Sequence, residues 1–88
     1  MQPRLSAKHR KTLEAVFADP VRANIHWADI ERLLVACGAD ITEGRGSRVR
    51  IALKGVRAVF HCPHPGKETD RGAVAAMRRF LTEAGVMP

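Results

Sequence analysis

The apolar positions at the start of the chain recur at helical spacing. Ser6, a residue suited to capping a helix N-terminus, precedes the first of them, so a helix is predicted over about residues 7–18. Asp19-Pro20 ends it, because proline disfavours helical backbone in the residue before it. The apolar stripe of this predicted helix consists of Leu13, Val16 and Phe17.

Two further helices are predicted by the same periodicity. One runs from about Trp27 to Cys37 and ends at Gly38, and the last spans about residues 70–84 and ends at Gly85. Glycine is favoured just past a helix C-terminus. The apolar positions of these helices are Trp27, Ile30, Leu33, Leu34 and Cys37 in the former, and Val74, Met77, Phe80, Leu81 and Ala84 in the latter.

Between these helices apolar residues alternate with polar ones, which is typical of strands with one buried face. Strands are predicted over residues 48–53 and 56–61, on either side of a Lys54-Gly55 hairpin loop, with a shorter strand over Asp40 to Glu43. The fold class is therefore predicted as α+β. Its order is α-β-β-β-α with a three-stranded antiparallel sheet, preceded by an extra N-terminal helix.

The hairpin loop also predicts the register of the two longer strands. If Lys54 and Gly55 form the loop, Leu53 pairs with Val56, and Val49 and Ile51 share the buried face with their partners. A slip of one residue would bury arginines, so the register is well specified. The pairs predicted on the open face are Arg48 with His61, Arg50 with Val59, and Ala52 with Arg57.

The charge of the chain is unevenly distributed, because the basic excess is confined to the second half. The chain has 88 residues, with 15 Lys and Arg against 9 Asp and Glu, a formal charge of +6. Up to residue 43 the charges cancel, and the whole excess follows Gly44. A localised excess of this kind is expected of a protein that binds a polyanion, most commonly RNA or DNA. A basic surface without such a partner is the alternative.

From about Ile25 to Val86 the chain resembles the HicA family of toxin ribonucleases. The resemblance rests on Gly46-Ser47 before the second strand, on His64-Pro65-Gly66-Lys67-Glu68 after the third, and on Gly72 followed by the last helix and Ala84-Gly85-Val86. It implies a fold like that of double-stranded-RNA-binding domains over residues 25–88, with residues 1–24 as a helical extension. It also implies cleavage or sequestration of mRNA, with cleavage that needs no metal or other cofactor, and neutralisation by a HicB-like antitoxin.

The chain departs from the family at the catalytic position. The resemblance implies a histidine directly after Gly-Ser, and this chain has Arg48 there. A guanidinium cannot accept a proton from a 2′-hydroxyl, whereas neutral imidazole can. Two candidates for the base follow: His61, opposite Arg48 in the predicted hairpin, and His64, which aligns with the family's histidine after the third strand. The alternative is that His61 is only a polar residue on a solvated sheet face, against which stands its predicted position next to three arginines.

Arg48 is then interpreted as a phosphate ligand together with its neighbours. The residues predicted to bind RNA phosphates are Ser47, Arg48, Arg50, Arg57, Lys67 and Arg71. Arg71 and Arg78 lie a heptad apart on the last helix and are candidates to extend this surface, although a solvated helix face is the alternative for Arg78 and Arg79. The start of that helix, near Thr69 to Gly72, could hold a phosphate through its free N–H groups.

The cysteines and the hydropathy add expectations about metals and compartment. His61-Cys62-Pro63-His64 contains three potential zinc ligands, but its spacing matches no usual structural zinc site, so no metal is predicted. Cys37 and Trp27 are expected in the core, and both cysteines are expected to stay reduced. Neither a membrane span nor a signal peptide is recognised, which predicts a cytoplasmic protein.

Three functional hypotheses remain open from the sequence. The first is an endoribonuclease toxin with a displaced histidine. The second is an RNA-binding module of the same fold without catalytic activity. The third is an interaction protein whose basic face chiefly binds an acidic antitoxin. The sequence predicts neither the RNA target nor the oligomeric state, which could be a monomer or a dimer.

Overall fold

A computed structural model describes residues 5–61 and 68–88 of the chain. The predictions for Cys62, His64 and Lys67 concern residues outside these ranges. None of the helices in the described ranges is long and apolar enough to cross a membrane.

Three helices form where the periodicity predicts them: α1 (Ala7–Val16), α2 (Trp27–Ala36) and α3 (Arg71–Glu83). The Ser6 hydroxyl accepts the His9 N–H at 3.3 Å, and the Asp70 carboxylate accepts the Ala73 N–H at 2.7 Å. Each side chain thereby satisfies a backbone donor that the helix start leaves unpaired. α1 ends at Val16, ahead of the predicted residue 18.

The predicted sheet is confirmed, with its strands in the order β2 (Asp40–Glu43), β3 (Arg48–Leu53) and β4 (Val56–His61). Lys54 and Gly55 both have positive φ, 50° and 84°, as a tight two-residue hairpin turn requires. β3 and β4 pair from Leu53 with Val56 out to Arg48 with His61, which is the predicted register. β2 pairs antiparallel with the other edge of β3, from Asp40 with Ala52 to Glu43 with Val49.

A second, two-stranded sheet was not predicted. β1 (Ile25–His26) and β5 (Glu68–Thr69) pair antiparallel, Ile25 with Thr69 and His26 with Glu68. Two residues are too few to produce a recognisable alternation, so the sequence carries no signal for them. β1 leads directly into α2 and β5 lies just before α3, so this pairing ties the starts of the two helices together.

One hydrophobic core lies between the helices and one face of the larger sheet. Phe60 on β4 contacts Trp27 of α2, with ring centroids 6.2 Å apart, and Phe80 of α3 at 6.1 Å in an edge-to-face arrangement. Trp27 and Cys37 are buried as predicted. Leu13 and Val16 of α1 belong to the same core, so the N-terminal helix packs as part of the fold.

Arg78 does not extend the predicted phosphate-binding surface, because its guanidinium contacts the end of α1. Its Nε donates to the carbonyl oxygen of Val16 at 3.3 Å, and its Nη2 donates to that of Ala18 at 2.6 Å. The guanidinium carbon also lies 6.0 Å from the centre of the Phe17 ring. A half-buried arginine on α3 therefore holds the C-terminal end of α1, where helix carbonyls lack intrahelical partners.

Candidate nucleic-acid interface

The face of the larger sheet that points away from the helices carries most of the candidate chemistry. Its side chains come from alternate positions of β2, β3 and β4, which point to the same side because successive residues of a strand alternate. We call this surface the open face. It comprises Asp40, Thr42, Arg48, Arg50, Ala52, Arg57, Val59 and His61.

The side chains of the open face form three rows that run across the strands. Arg48 lies directly opposite His61 in the first. Arg50 lies between Thr42 and Val59 in the second, and the third consists of Asp40, Ala52 and Arg57. Cβ atoms of directly opposed residues are about 4.5–5.5 Å apart, so the imidazole and the guanidinium of the first row can act on one bound group. The juxtaposition of Arg48, Arg50, Arg57 and His61 predicted from the hairpin is confirmed.

A depression of about 280 Å³ lies beside the first row, with Arg45, Arg48 and Arg50 in its lining. Its remaining lining residues are Gly44 and Val59. Three guanidinium groups around one concave surface suit a phosphate, whose oxygens accept paired hydrogen bonds from arginine. Arg45 was not among the predicted ligands, because its Gly-Arg-Gly segment was interpreted only as a turn. The turn carries Arg45 to the end of β3 that Arg48 begins.

A second depression, of about 390 Å³, lies over Ala52 on the open face. Arg50 and Arg57 line it together with Asp40 and Thr42, two residues that the sequence reasoning missed. The sequence does contain a signal that places Asp40 and Thr42 on this face. Extending the register count across the Gly44–Ser47 turn to the predicted strand 40–43 would have brought both residues to this face.

The remaining predicted phosphate ligands are not gathered on the open face. Ser47 is exposed in the turn just before Arg48. Arg71 is exposed at the first residue of α3, in the helical layer behind the sheet. The Asp70 carboxylate accepts the Ala73 N–H and puts a negative charge at the start of α3, which disfavours the phosphate that was considered there.

The described residues offer no group of three His, Cys, Asp or Glu side chains that could hold a metal ion. His61 is the one member of the His61–His64 run inside the described ranges, and it is exposed on the open face. Burial raises the pKa of the Cys37 thiol, an effect that the positive charge of Lys54 partly opposes. Cys37 is thus a core residue rather than a reactive one.

A comparison with protein-family models gives a match over most of the chain. The family model described as HicA toxin of bacterial toxin-antitoxin matches residues 27–86, which is more than half of the chain. The matched segment begins at α2 and ends after α3, so it includes the whole open face and excludes α1. No curated protein and no solved structure matches the chain significantly.

Proposed function

The chain belongs to the HicA toxin family, a family of ribonuclease toxins from toxin–antitoxin systems, and we propose that it binds and cleaves mRNA on its open face. The observation that carries the proposal is the direct pairing of Arg48 with His61 at the end of a basic sheet surface. The pairing supports a mechanism in which the Arg48 cation binds the phosphate and the His61 imidazole accepts the proton.

The proposed reaction is attack of an RNA 2′-hydroxyl on the adjacent phosphorus. The neutral imidazole of His61 accepts the hydroxyl proton as the bond between the 2′-oxygen and phosphorus forms. The bond from phosphorus to the 5′-oxygen breaks, and water supplies the proton that the leaving oxygen needs. The products are a 2′,3′-cyclic phosphate and a 5′-hydroxyl, and no oxidant, metal or cofactor takes part.

Arg48 acts in this reaction as an electrostatic group. A guanidinium is a cation with several N–H donors, so Arg48 donates hydrogen bonds to the non-bridging phosphate oxygens as their negative charge increases. Ser47, Arg50 and Arg57 are proposed to hold neighbouring phosphates, and Lys67 and Arg71 are proposed as further phosphate contacts. His64 is the second candidate for the base.

The family also implies a HicB-type antitoxin as partner. We propose that an acidic surface of this antitoxin covers the open face and thereby excludes RNA, because both ligands would compete for the same arginines. The proposed compartment is the cytoplasm, where mRNA is available. Residues 25–88 are proposed as the ribonuclease unit, with residues 1–24 as a helical extension whose Leu13 and Val16 pack into its core.

The test is cleavage of a purified RNA in the presence of EDTA, with products identified by their cyclic phosphate ends. We expect His61→Ala and His61→Gln to abolish cleavage while RNA binding persists, and Arg48→Ala to weaken binding while slow cleavage remains. His26→Ala is the matched control, because His26 is an exposed histidine on β1, outside the open face.

Other results of this experiment would support one of the alternative bases or functions. Full cleavage by His61→Ala would exclude His61 as the base, and loss of cleavage in His64→Ala would then assign the role to His64. Intact RNA with a clear gel shift would leave a non-catalytic RNA-binding module. Failure to retain RNA at low salt, together with tight binding of an acidic antitoxin, would leave an interaction protein.

A further inference from the structure

The depression over Ala52 differs from the rest of the open face because it combines an acidic side chain with an apolar floor. Asp40 is the only acidic residue among the eight of the open face. A carboxylate on a surface that binds phosphates repels them, so its position calls for a different ligand. Glu43, the other acidic residue of β2, pairs with Val49 and belongs to the opposite face.

The Asp40 carboxylate makes no ion pair or hydrogen bond to another side chain within residues 5–61 and 68–88. The ion pair between Arg32 and Asp29 lies on α2 and involves no residue of the open face. Arg57, in the same row as Asp40, lies two strands away, about 10 Å, with only the small Ala52 between them. Asp40 and Arg57 therefore flank a gap that a planar group can enter, and both retain hydrogen-bonding capacity.

The lining of the depression suits a nucleobase. Its volume of about 390 Å³ lies within the range of small-molecule sites. Val59, whose surface is 59% exposed, provides an apolar flank. None of the four aromatic residues belongs to the open face, so stacking on a base falls to the planar guanidinium groups of Arg50 and Arg57.

The carboxylate selects among the bases by its hydrogen-bonding pattern. Ionised aspartate has two acceptors and no donor. Guanine alone presents two adjacent donors on its Watson–Crick edge, the N1–H and the N2 amino group, and a carboxylate can accept both. Adenine and cytosine offer one amino group beside a ring acceptor, and the single imino N–H of uracil lies between two carbonyl oxygens.

We infer that the depression formed by Asp40, Thr42, Arg50, Ala52, Arg57 and Val59 is a base-recognition subsite that prefers guanine in single-stranded RNA. Asp40 accepts the two guanine donors, Thr42 offers a further hydroxyl at the edge of the site, and the arginine planes cover the base. The subsite lies one to two rows from Arg48 and His61, so it positions an adjacent nucleotide and sets the cleavage preference. This inference rests on the proposed RNA binding.

Its test uses short single-stranded oligouridines with one central nucleotide varied among G, A, C and U, in 2′-O-methyl form so that the 2′-oxygen cannot attack. Affinities of the full chain are measured by fluorescence anisotropy at several salt concentrations. We expect the RNA with G to bind about tenfold more tightly than that with U, since a good two-bond contact discriminates by about this factor. The ratio should persist as salt weakens all four complexes, because the base contact releases no counterions.

Asp40→Asn should remove the preference, because the amide replaces one acceptor by a donor. The matched control is Glu43→Gln, which neutralises a carboxylate on the same strand but on the opposite face, and it should keep the preference. Equal binding of all four RNAs by the unmodified chain, or an unchanged preference in Asp40→Asn, overturns the subsite and leaves RNA binding intact. Failure of all four RNAs to bind at low salt overturns the proposed function as well.

Discussion

Arg48 and His61 are direct partners across β3 and β4, so a permanent cation and an imidazole face each other in one row of the sheet. If Arg48 holds the phosphate and His61 takes the proton, the two roles depend on this one cross-strand contact. The row is also the last of the hairpin, where both side chains are exposed to a ligand arriving over the open face.

A second imidazole in this row should accelerate cleavage. In Arg48→His, one histidine can accept the proton from the 2′-hydroxyl while the other, protonated, donates to the leaving 5′-oxygen. We expect the single-turnover cleavage rate at saturating protein to increase by about tenfold or more, since a positioned acid or base contributes about 10²–10⁴-fold.

Arg50→His is the control for that change, because it places an imidazole in the adjacent row, opposite Val59. It should not accelerate cleavage. A rate for Arg48→His at or below that of the unmodified chain would mean that the guanidinium contributes more than a second imidazole.

Arg50 should contribute to RNA affinity through its charge as well as through its place beside the base. In Arg50→Ala, the slope of log affinity against log salt should become shallower by about 0.7 for a single strand, which corresponds to one lost phosphate contact. Anisotropy titrations across a salt series measure the slope. Arg79→Ala removes an exposed charge from α3, behind the sheet, and should leave the slope unchanged. Equal slopes for both variants would exclude Arg50 as a phosphate ligand.

The open face was predictable because one local signal fixed it. The Lys54-Gly55 turn sets the register of β3 and β4, and a register error would have buried arginines. The pairing of Arg48 with His61 therefore follows from the sequence alone. Placing Asp40 and Thr42 on the open face also requires the register of β2 and β3, which are joined by the longer Gly44–Ser47 turn. A four-residue turn specifies strand pairing less strictly than a two-residue one.

The small β1–β5 sheet and the role of Arg78 were not predictable, because both depend on contacts between residues distant in sequence. The β1–β5 pairing joins two dipeptides, Ile25–His26 and Glu68–Thr69, and neither has a period of its own. The role of Arg78 depends on carbonyl groups at the end of α1, and spacing along α3 gives no information about what lies across from it. Helical periodicity identifies a surface position but not its neighbour.

Arg78 should be important for stability and dispensable for RNA binding. Its two hydrogen bonds to the carbonyl groups of Val16 and Ala18 are charge-assisted and half-buried. We expect Arg78→Ala to lower the free energy of unfolding by about 1.5–3 kcal/mol, measured by urea denaturation. Arg79→Ala, one residue further along α3 and exposed, should change it by less than about 0.5 kcal/mol. Equal effects would contradict a specific tie between α3 and α1.

The N-terminal helix should be required for a stable fold although it lies outside the segment that matches the family. Leu13 is 2% exposed and belongs to the common core. Leu13→Ala should lower the free energy of unfolding by about 2–5 kcal/mol, because it leaves a cavity where the side chain packs. Glu14→Ala, on the exposed side of α1, is the control and should have little effect. A small loss in Leu13→Ala would show that α1 is dispensable for the core.

Cys37 should react slowly in the folded chain. Burial raises the pKa of its thiol, so at a given pH a smaller fraction is thiolate than for an exposed cysteine, and the thiolate is the species that iodoacetamide alkylates. The side chain is also only 6% exposed, which restricts access of the reagent. We expect alkylation of Cys37 at mildly alkaline pH to be about tenfold slower or more in buffer than in urea, where burial is lost. Mass spectrometry of the peptide containing Cys37 measures this separately from Cys62. Equal rates in buffer and in urea would contradict the placement of Cys37 in the core.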